Sequence, residues 1–209
     1  YRWYGNTDSL TLTSALAGLI SQRNEQVSQR NRDLALLLDT ATIAAASLDL
    51  HVTLPRLAEK IARELPATFC RICLLDGLGQ HLVAFGVYPL RPLEGWQPGI
   101  GQKCALQNLF RSQEALQTAQ AVVVRQDDPR LAMAEAECAA LFFDGMKSAC
   151  LIPLMAEGRG LGMISVGEAR HWEREPFDQE KLNLLRTIAA QMAVVIDNAH
   201  HHAQVAEQA

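Results

Sequence analysis

The chain lacks the features that would tie it to a membrane or to nucleic acid. No apolar run approaches the roughly 20 residues that a bilayer-crossing helix needs. No block of Lys or Arg gathers along one face: 19 basic residues stand against 23 acidic ones, for a formal charge of −4. A nucleic-acid partner or an anionic lipid surface would find no electrostatic footprint here. Cysteine is sparse and odd in number: Cys70, Cys73, Cys104, Cys138 and Cys150 are scattered through apolar stretches. That pattern argues against a disulfide framework and for a reducing, cytoplasmic setting. There is no secretory signal, and Tyr1 stands where Met would open a complete chain, so the sequence reads as a segment of a longer parent whose membrane attachment stays open. No GxSxG turn and no nucleotide-binding loop occur, and Gly99-Ile100-Gly101 is too short for a dinucleotide loop. Catalysis by this segment is not expected.

What is present is an ordinary globular composition, 49% hydrophobic and 20% charged. At 209 residues the chain fits one domain with appendages. Residues 8–48 contain no proline and read as one long helix. Ile20, Val27 and Leu34 recur at seven-residue spacing, with Ala17, Asn24, Asn31 and Leu38 three or four residues away. This is a coiled-coil seam with asparagine at two successive core positions, where it sacrifices stability and fixes the register of a parallel dimer. Arg23, Glu25, Arg30, Arg32 and Asp33 supply polar flanks. The competing reading is a long helix packed on its own domain.

Beyond the seam, Thr53 predicts a helix start with Pro55 in the first turn, and Pro66 a stop. Thr68–Leu75 and His81–Val87 predict paired strands around Asp76-Gly77. Tyr88–Gly101, rich in proline and glycine, predicts a long loop of the kind that covers a site. Cys104–Phe110 predicts a short helix, Ala121–Val124 a short strand and 130–143 a helix. Lys147–Met155 and Gly160–Glu168 predict a hairpin. The final helix, from about Pro176, carries two heptad rows, Leu182/Ala189/Ile196/Ala203 and Leu185/Met192/Ala199/Ala206, which predict one face for the sheet and one for a neighbour.

Three stretches, GMKSACLIPL, GRGLGMISVG and FDQEKLNLLRTIAAQMAVVIDNA, together with DDPR at Asp127–Arg130, resemble the GAF domain of bacterial sensor and signalling proteins of the histidine-kinase or cyclase type. The preceding RNRDLALLLDTATIAAASLDL is similar to the linker helix ahead of such domains. The resemblance implies an α+β fold, in which a central antiparallel sheet of about six strands is flanked by helices, with the long N-terminal coiled-coil helix ahead of it. It divides the chain into a linker helix (1–49, its start belonging to the linker or to a preceding domain), the GAF domain (50–199) and the start of an output helix (200–209). It implies a non-catalytic sensory or regulatory module, homodimeric through its N- and C-terminal helices, acting on an effector domain in the same parent chain. The expected dimer contacts are Ile20, Asn24, Val27, Asn31, Leu34 and Leu38.

The resemblance leaves the ligand and any cofactor unspecified, since the family spans cyclic nucleotides, bilins, haem and small metabolites. Candidate walls of a small-molecule pocket are Trp96, Phe110, Asp127, Arg130, Cys138, Phe142, Ser148 and Cys150. The alternatives are a ligand-free dimerisation module, and a thiol sensor or methionine sulfoxide reductase of the same fold using Cys104, Cys138 or Cys150. Cys70 and Cys73 have CxxC spacing but fall in a strand, where side chains three apart point to opposite faces. Cys138 occupies a helix comparable to that of bilin-attaching cysteines, yet Ala139 follows where His is usual. His81 and His171 are lone histidines, and His200-His201-His202 on successive helical positions cannot converge on one ion. No metal site is expected.

Overall fold

The fold was analysed on a computed structural model, which describes residues 7–65, 67–89, 99–131, 135–143, 145–171 and 176–207. Two units are distinguished, Tyr1–Leu38 and Asp39–Ala209. The first is helical, the larger part of α1 (Thr7–Ala45). Along it Ile20, Val27, Leu34 and Leu38 are each more than half exposed, and Asn24 and Asn31 are exposed beside them.

The second unit is built on one antiparallel sheet. Its strands are β1 (Phe69–Leu75), β2 (His81–Tyr88), β3 (Lys103–Ala105), β4 (Val122–Arg125), β5 (Ser148–Ala156) and β6 (Arg159–Glu168), in the order β3-β2-β1-β6-β5-β4. The helices are α2 (Leu50–Glu64), α3 (Phe110–Thr118), α4 (Glu135–Leu141) and α5 (Gln179–Glu207). The six-stranded α+β architecture expected from the sequence is therefore present.

Alternation along the strands sorts the core into two layers. On one face Phe69, Cys73, Leu82, Ala84, Val124, Ala149, Leu151 and Met163 pack with Leu109 and Ala115 around α3 and with Leu141, Phe143 and Met146 near α4. The other face of the sheet is covered by α2 and α5. Cys73 belongs to the α3/α4 cluster and Cys70 does not, so the CxxC pair splits across the sheet. In β2 the ladder with β1 shifts register, Ile72 facing Gly86 and Cys73 facing Ala84. Phe85 is the extra residue, and the bulge keeps the apolar residues on both sides of it inward. Pro153 lies inside β5, which is unusual for a strand with two neighbours. The ladder with β4 runs only from Ser148 to Leu151, so Pro153 falls beyond it and sits opposite Met163 of β6 alone.

Several boundaries differ from the sequence reading. The N-cap of α2 is Asp49, whose carboxylate accepts the His51 amide at 2.9 Å, and Pro55 lies inside the helix. Thr53 is buried and donates its hydroxyl to the Ser47 carbonyl instead. Asp at an N-cap matches Thr or exceeds it, which moves the start a turn earlier. Lys103–Ala105 is a strand, paired to β2; Leu106–Asn108 beyond it is a 3-10 turn, and Phe110 already belongs to α3. The expected helix over 130–143 is a 3-10 turn at Pro129–Leu131 and α4, with 132–134 outside the described residues. Of the loop Tyr88–Gly101, residues 90–98 lie outside them as well. In α5 Leu185, Ala189, Met192, Ile196 and Ala199 are buried and Leu182 is half-buried, while Ala203 is exposed, as are Ala190, Val194 and Val205.

The β5–β6 turn is Glu157-Gly158, with φ of +50° and +77°, the double left-handed geometry of a two-residue hairpin. Close approach fixes another glycine. A Cβ on Gly86 would lie 2.3 Å from the Leu54 carbonyl oxygen, so α2 can rest on β2 only because no side chain intervenes. Gly86→Ala is expected to destabilise the domain by about 2–3 kcal/mol in urea unfolding, the cost of overpacking against backbone. Gly77→Ala, into open space, should stay within about 0.5 kcal/mol of the parent.

Candidate functional site

The polar features of the domain concentrate around the outermost strand β4 and the loop that leaves it. The segment Arg125–Leu131 folds back tightly: the Asp128 amide donates to the Arg125 carbonyl at 3.0 Å, and the Leu131 amide to the Asp128 carbonyl at 3.0 Å. The Asp128 carboxylate accepts from the Arg130 amide (3.0 Å) and guanidinium (3.2 Å), with the Arg111 guanidinium 3.7 Å away. Burial alone would raise the Asp128 carboxyl; its bonds to Arg130 and the nearby Arg111 charge outweigh that and hold its pKa below the ordinary value. Arg125 meets Asp127 through two bonds, at 3.0 and 2.7 Å.

Two cavities flank β4. One, of about 330 Å³, is lined by Arg111, Val123, Arg125 and residues 127–130. The other, of about 390 Å³, is lined by Val123, Arg125, Ser148 and residues 176–179. Behind the first lies Glu137, a fully buried carboxylate on α4. One oxygen accepts the Arg111 amide at 2.9 Å; the other accepts the Ser112 amide at 2.9 Å and its hydroxyl at 2.8 Å. These are orphan donors of the first turn of α3, so Glu137 caps that helix from another element. Arg111, itself buried, pairs with Glu114, and its Nε has no partner among the described residues.

The residues expected at a pocket are partly assembled. Asp127 and Arg130 share the first cavity, and Ser148 lines the second. Phe110 opens α3 and is 53% exposed. Cys138 and Phe142 pack half-buried on the α3/α4 cluster, the Cys138 thiol 3.4 Å from the Leu131 carbonyl. Cys150 is buried on the opposite face, towards α5, because Ala149 and Leu151 on either side of it belong to the α3/α4 cluster. Cys138 and Cys150 are thus separated by the sheet. Trp96 lies outside the described residues. Arg111, Arg125, Asp128 and Glu137 were not among the expected site residues. The alternating charges of Arg125–Arg130 were a readable signal; the inward turn of Glu137 was not.

Four of the five thiols, Cys70, Cys73, Cys138 and Cys150, are poorly disposed to ionise. Burial pushes Cys150 up to about 12 and Cys73 up to about 11, and it raises Cys70 and Cys138 as well. All five cysteines are unpaired. Among the described residues no three His, Cys, Asp or Glu side chains gather as a metal site, and no helix is long and apolar enough to cross a membrane.

A single antiparallel sheet with α2 and α5 on one face, α3 and α4 on the other and cavities beside its edge strand β4 defines a class of small α+β domain. The chain belongs to the GAF domain family, whose model matches residues 49–196. Among solved structures it is similar to the GAF domain of a phosphoenolpyruvate-protein phosphotransferase from Coxiella burnetii (17% identity, TM-score 0.66, covering 83% of this chain and 97% of that one). It is similar to the GAF domain of a two-component sensor histidine kinase from Bacillus halodurans (19% identity, TM-score 0.53, 69% and 97%). It also resembles a free methionine-R-sulfoxide reductase from Neisseria meningitidis (16% identity, TM-score 0.61, 80% and 89%). No curated protein matches.

Two measurements test this geometry. Glu137→Ala leaves three buried donors unsatisfied and is expected to cost about 3 kcal/mol in urea unfolding, with Glu137→Gln costing less. Lys181, whose Nζ sits 5.0 Å from the Phe177 ring centroid, has its pKa lowered from 10.5 to about 8, by burial first and then by Arg170. Between those values the unfolded chain binds more protons at this group than the fold does, so stability rises with pH across the window. Wild type should therefore gain stability relative to Lys181→Met between pH 8 and pH 10.5.

Proposed function

We propose that this chain is a non-catalytic sensory or regulatory GAF domain that relays a signal through dimeric terminal helices to an effector domain of its parent protein. The observation that carries the reading is the row Ile20, Val27, Leu34 and Leu38, each more than half exposed on α1. Burying aliphatic side chains contributes about 1.5–3 kcal/mol each, and a second copy of the same helix offers a matching row. Asn24 and Asn31, exposed beside them, would pair across such a seam and discriminate against slipped registers. Membership of the family and likeness to the sensor-kinase GAF domain support the regulatory assignment. The unpaired thiols accord with a cytoplasmic location.

A thiol-based enzyme is the weaker reading. Catalytic cysteines need depressed pKa values, whereas those of Cys138 and Cys150 are raised. Cys138 and Cys150 also lie on opposite sides of the sheet. Under the relay model, α5 both shares the cover of one sheet face with α2 and carries the signal away from the domain. A ligand acts by binding one arrangement of the helices more tightly than the other, and it can shift their balance only by that difference.

The test is the mass of the 209-residue chain. Sedimentation equilibrium should give a dimer for the wild type and a monomer for the Val27→Asp, Leu34→Asp double variant. An unchanged dimer in the variant, or a wild-type monomer at high concentration, removes the seam from the model.

A further inference from the structure

Beyond the relay itself, the cavity between β4, β5 and the start of α5 has the chemistry of a ligand site. Ser148 opens β5 with its side chain on the α5 face, opposite to Ala149. It is 1% exposed, and its Oγ has no hydrogen-bond partner among the described residues. A buried hydroxyl without a partner is disfavoured, so its retention calls for an occupant. The cavity it lines measures about 390 Å³, within the usual range for small-molecule sites.

The other walls define what fits. One is the N-terminus of α5, a helix of 29 residues. The Asp178 carboxylate accepts the Lys181 amide at 2.8 Å, while the amides of Gln179 and Glu180 precede any intrahelical acceptor and lie at the positive end of the helix dipole. Across the cavity stands the Arg125 guanidinium, held by Asp127. Val123, Pro176 and Phe177 add an apolar wall. Donors from a hydroxyl, a helix terminus and a guanidinium converge beside a hydrophobic surface. Asp178 and Asp127 set an upper bound on the charge: one negative charge can be matched by Arg125 and the helix, whereas a dianion would meet two carboxylates.

The geometry points to a binding site for a small monocarboxylate with a short apolar tail. Its carboxylate accepts from Ser148 Oγ and the first turn of α5 and recruits Arg125 from Asp127. Its tail lies against Val123, Pro176 and Phe177. The site is separate from the α3/α4 face of the sheet. It does not depend on the dimer, although a ligand there would touch the first residues of the helix on which the relay reading rests.

The test titrates the full 209-residue chain with sodium benzoate and sodium butyrate at constant ionic strength, following amide resonances by two-dimensional NMR. Benzyl alcohol and inorganic phosphate serve as neutral and dianionic controls. The expected result is saturable shifts at Ser148, Gln179 and Glu180 for the carboxylates, absent with benzyl alcohol and weaker with phosphate. Ser148→Ala, which removes only the unpaired hydroxyl, and Arg125→Gln on the surface should each weaken binding by about tenfold with the spectrum otherwise preserved. Unshifted amides at these positions, equal response to the alcohol, tighter phosphate binding, or undiminished affinity in both variants would overturn the assignment. Because the readout is local, the outcome stands whether the chain sediments as monomer or dimer.

Discussion

Strand β6 pairs with β1 on one side and β5 on the other, and from Leu161 to Glu168 it is buried on both faces. A strand in that position cannot slip by one residue, since a slip would exchange the layer packed on α5 for the layer packed on α3 and α4. It also joins the two halves of the sheet, β1–β3 and β4–β5, which come from separate parts of the chain. Small residues let the three strands close. A Cβ on Gly167 would fall 1.8 Å from the Phe69 ring, so the ring occupies the space over the glycine directly opposite in the ladder. Phe69 then stacks on Phe143 at 5.0 Å, tying the β6 junction to the end of the α4 segment. The position of the cavities beside β4 follows from that junction, because β4 reaches the sheet only through β5.

How much of this was legible in the sequence depended on the range of the determining contact. The hairpin β5–β6 and the amphipathic α5 announce themselves through continuous apolar patterns and a two-residue turn, and both were read close to their observed limits. β3 was missed because its three residues are a strand only by pairing with His81–Val83; locally, Cys104–Phe110 resembles a helix. The nine residues of α3 escaped for a related reason. Its first turn is stabilised by Glu137, 25 residues further on, and nothing in the local sequence announces that cap. Of the two heptad rows of α5, Leu185, Ala189, Met192 and Ile196 are buried, whereas Ala203 near the end of the helix is exposed.

The candidate site divides along the same line. Asp127 and Arg130 were found through the short charged motif that contains them, and the structure sets them in one cavity. Ser148 and Cys150 were expected beside them on the basis of strand proximity, yet alternation sends both to the other face, where Ser148 meets the start of α5. The two layers differ in kind: the α3/α4 layer carries the carboxylate cap that Glu137 makes on α3 through hydrogen bonds, while α2 and α5 cover the other face. Thiols on both sides are shielded, which suits packing better than redox chemistry.

The strand order has one more result. The two outermost members of the sheet, β3 and β4, are also its shortest, with three and four residues. An intruding chain would find only a few open amides and carbonyls at either rim, too few to template a continuous ladder. Two copies joined along the proposed α1 seam would therefore crowd together and still remain distinct bodies, without fusing into a shared β-structure.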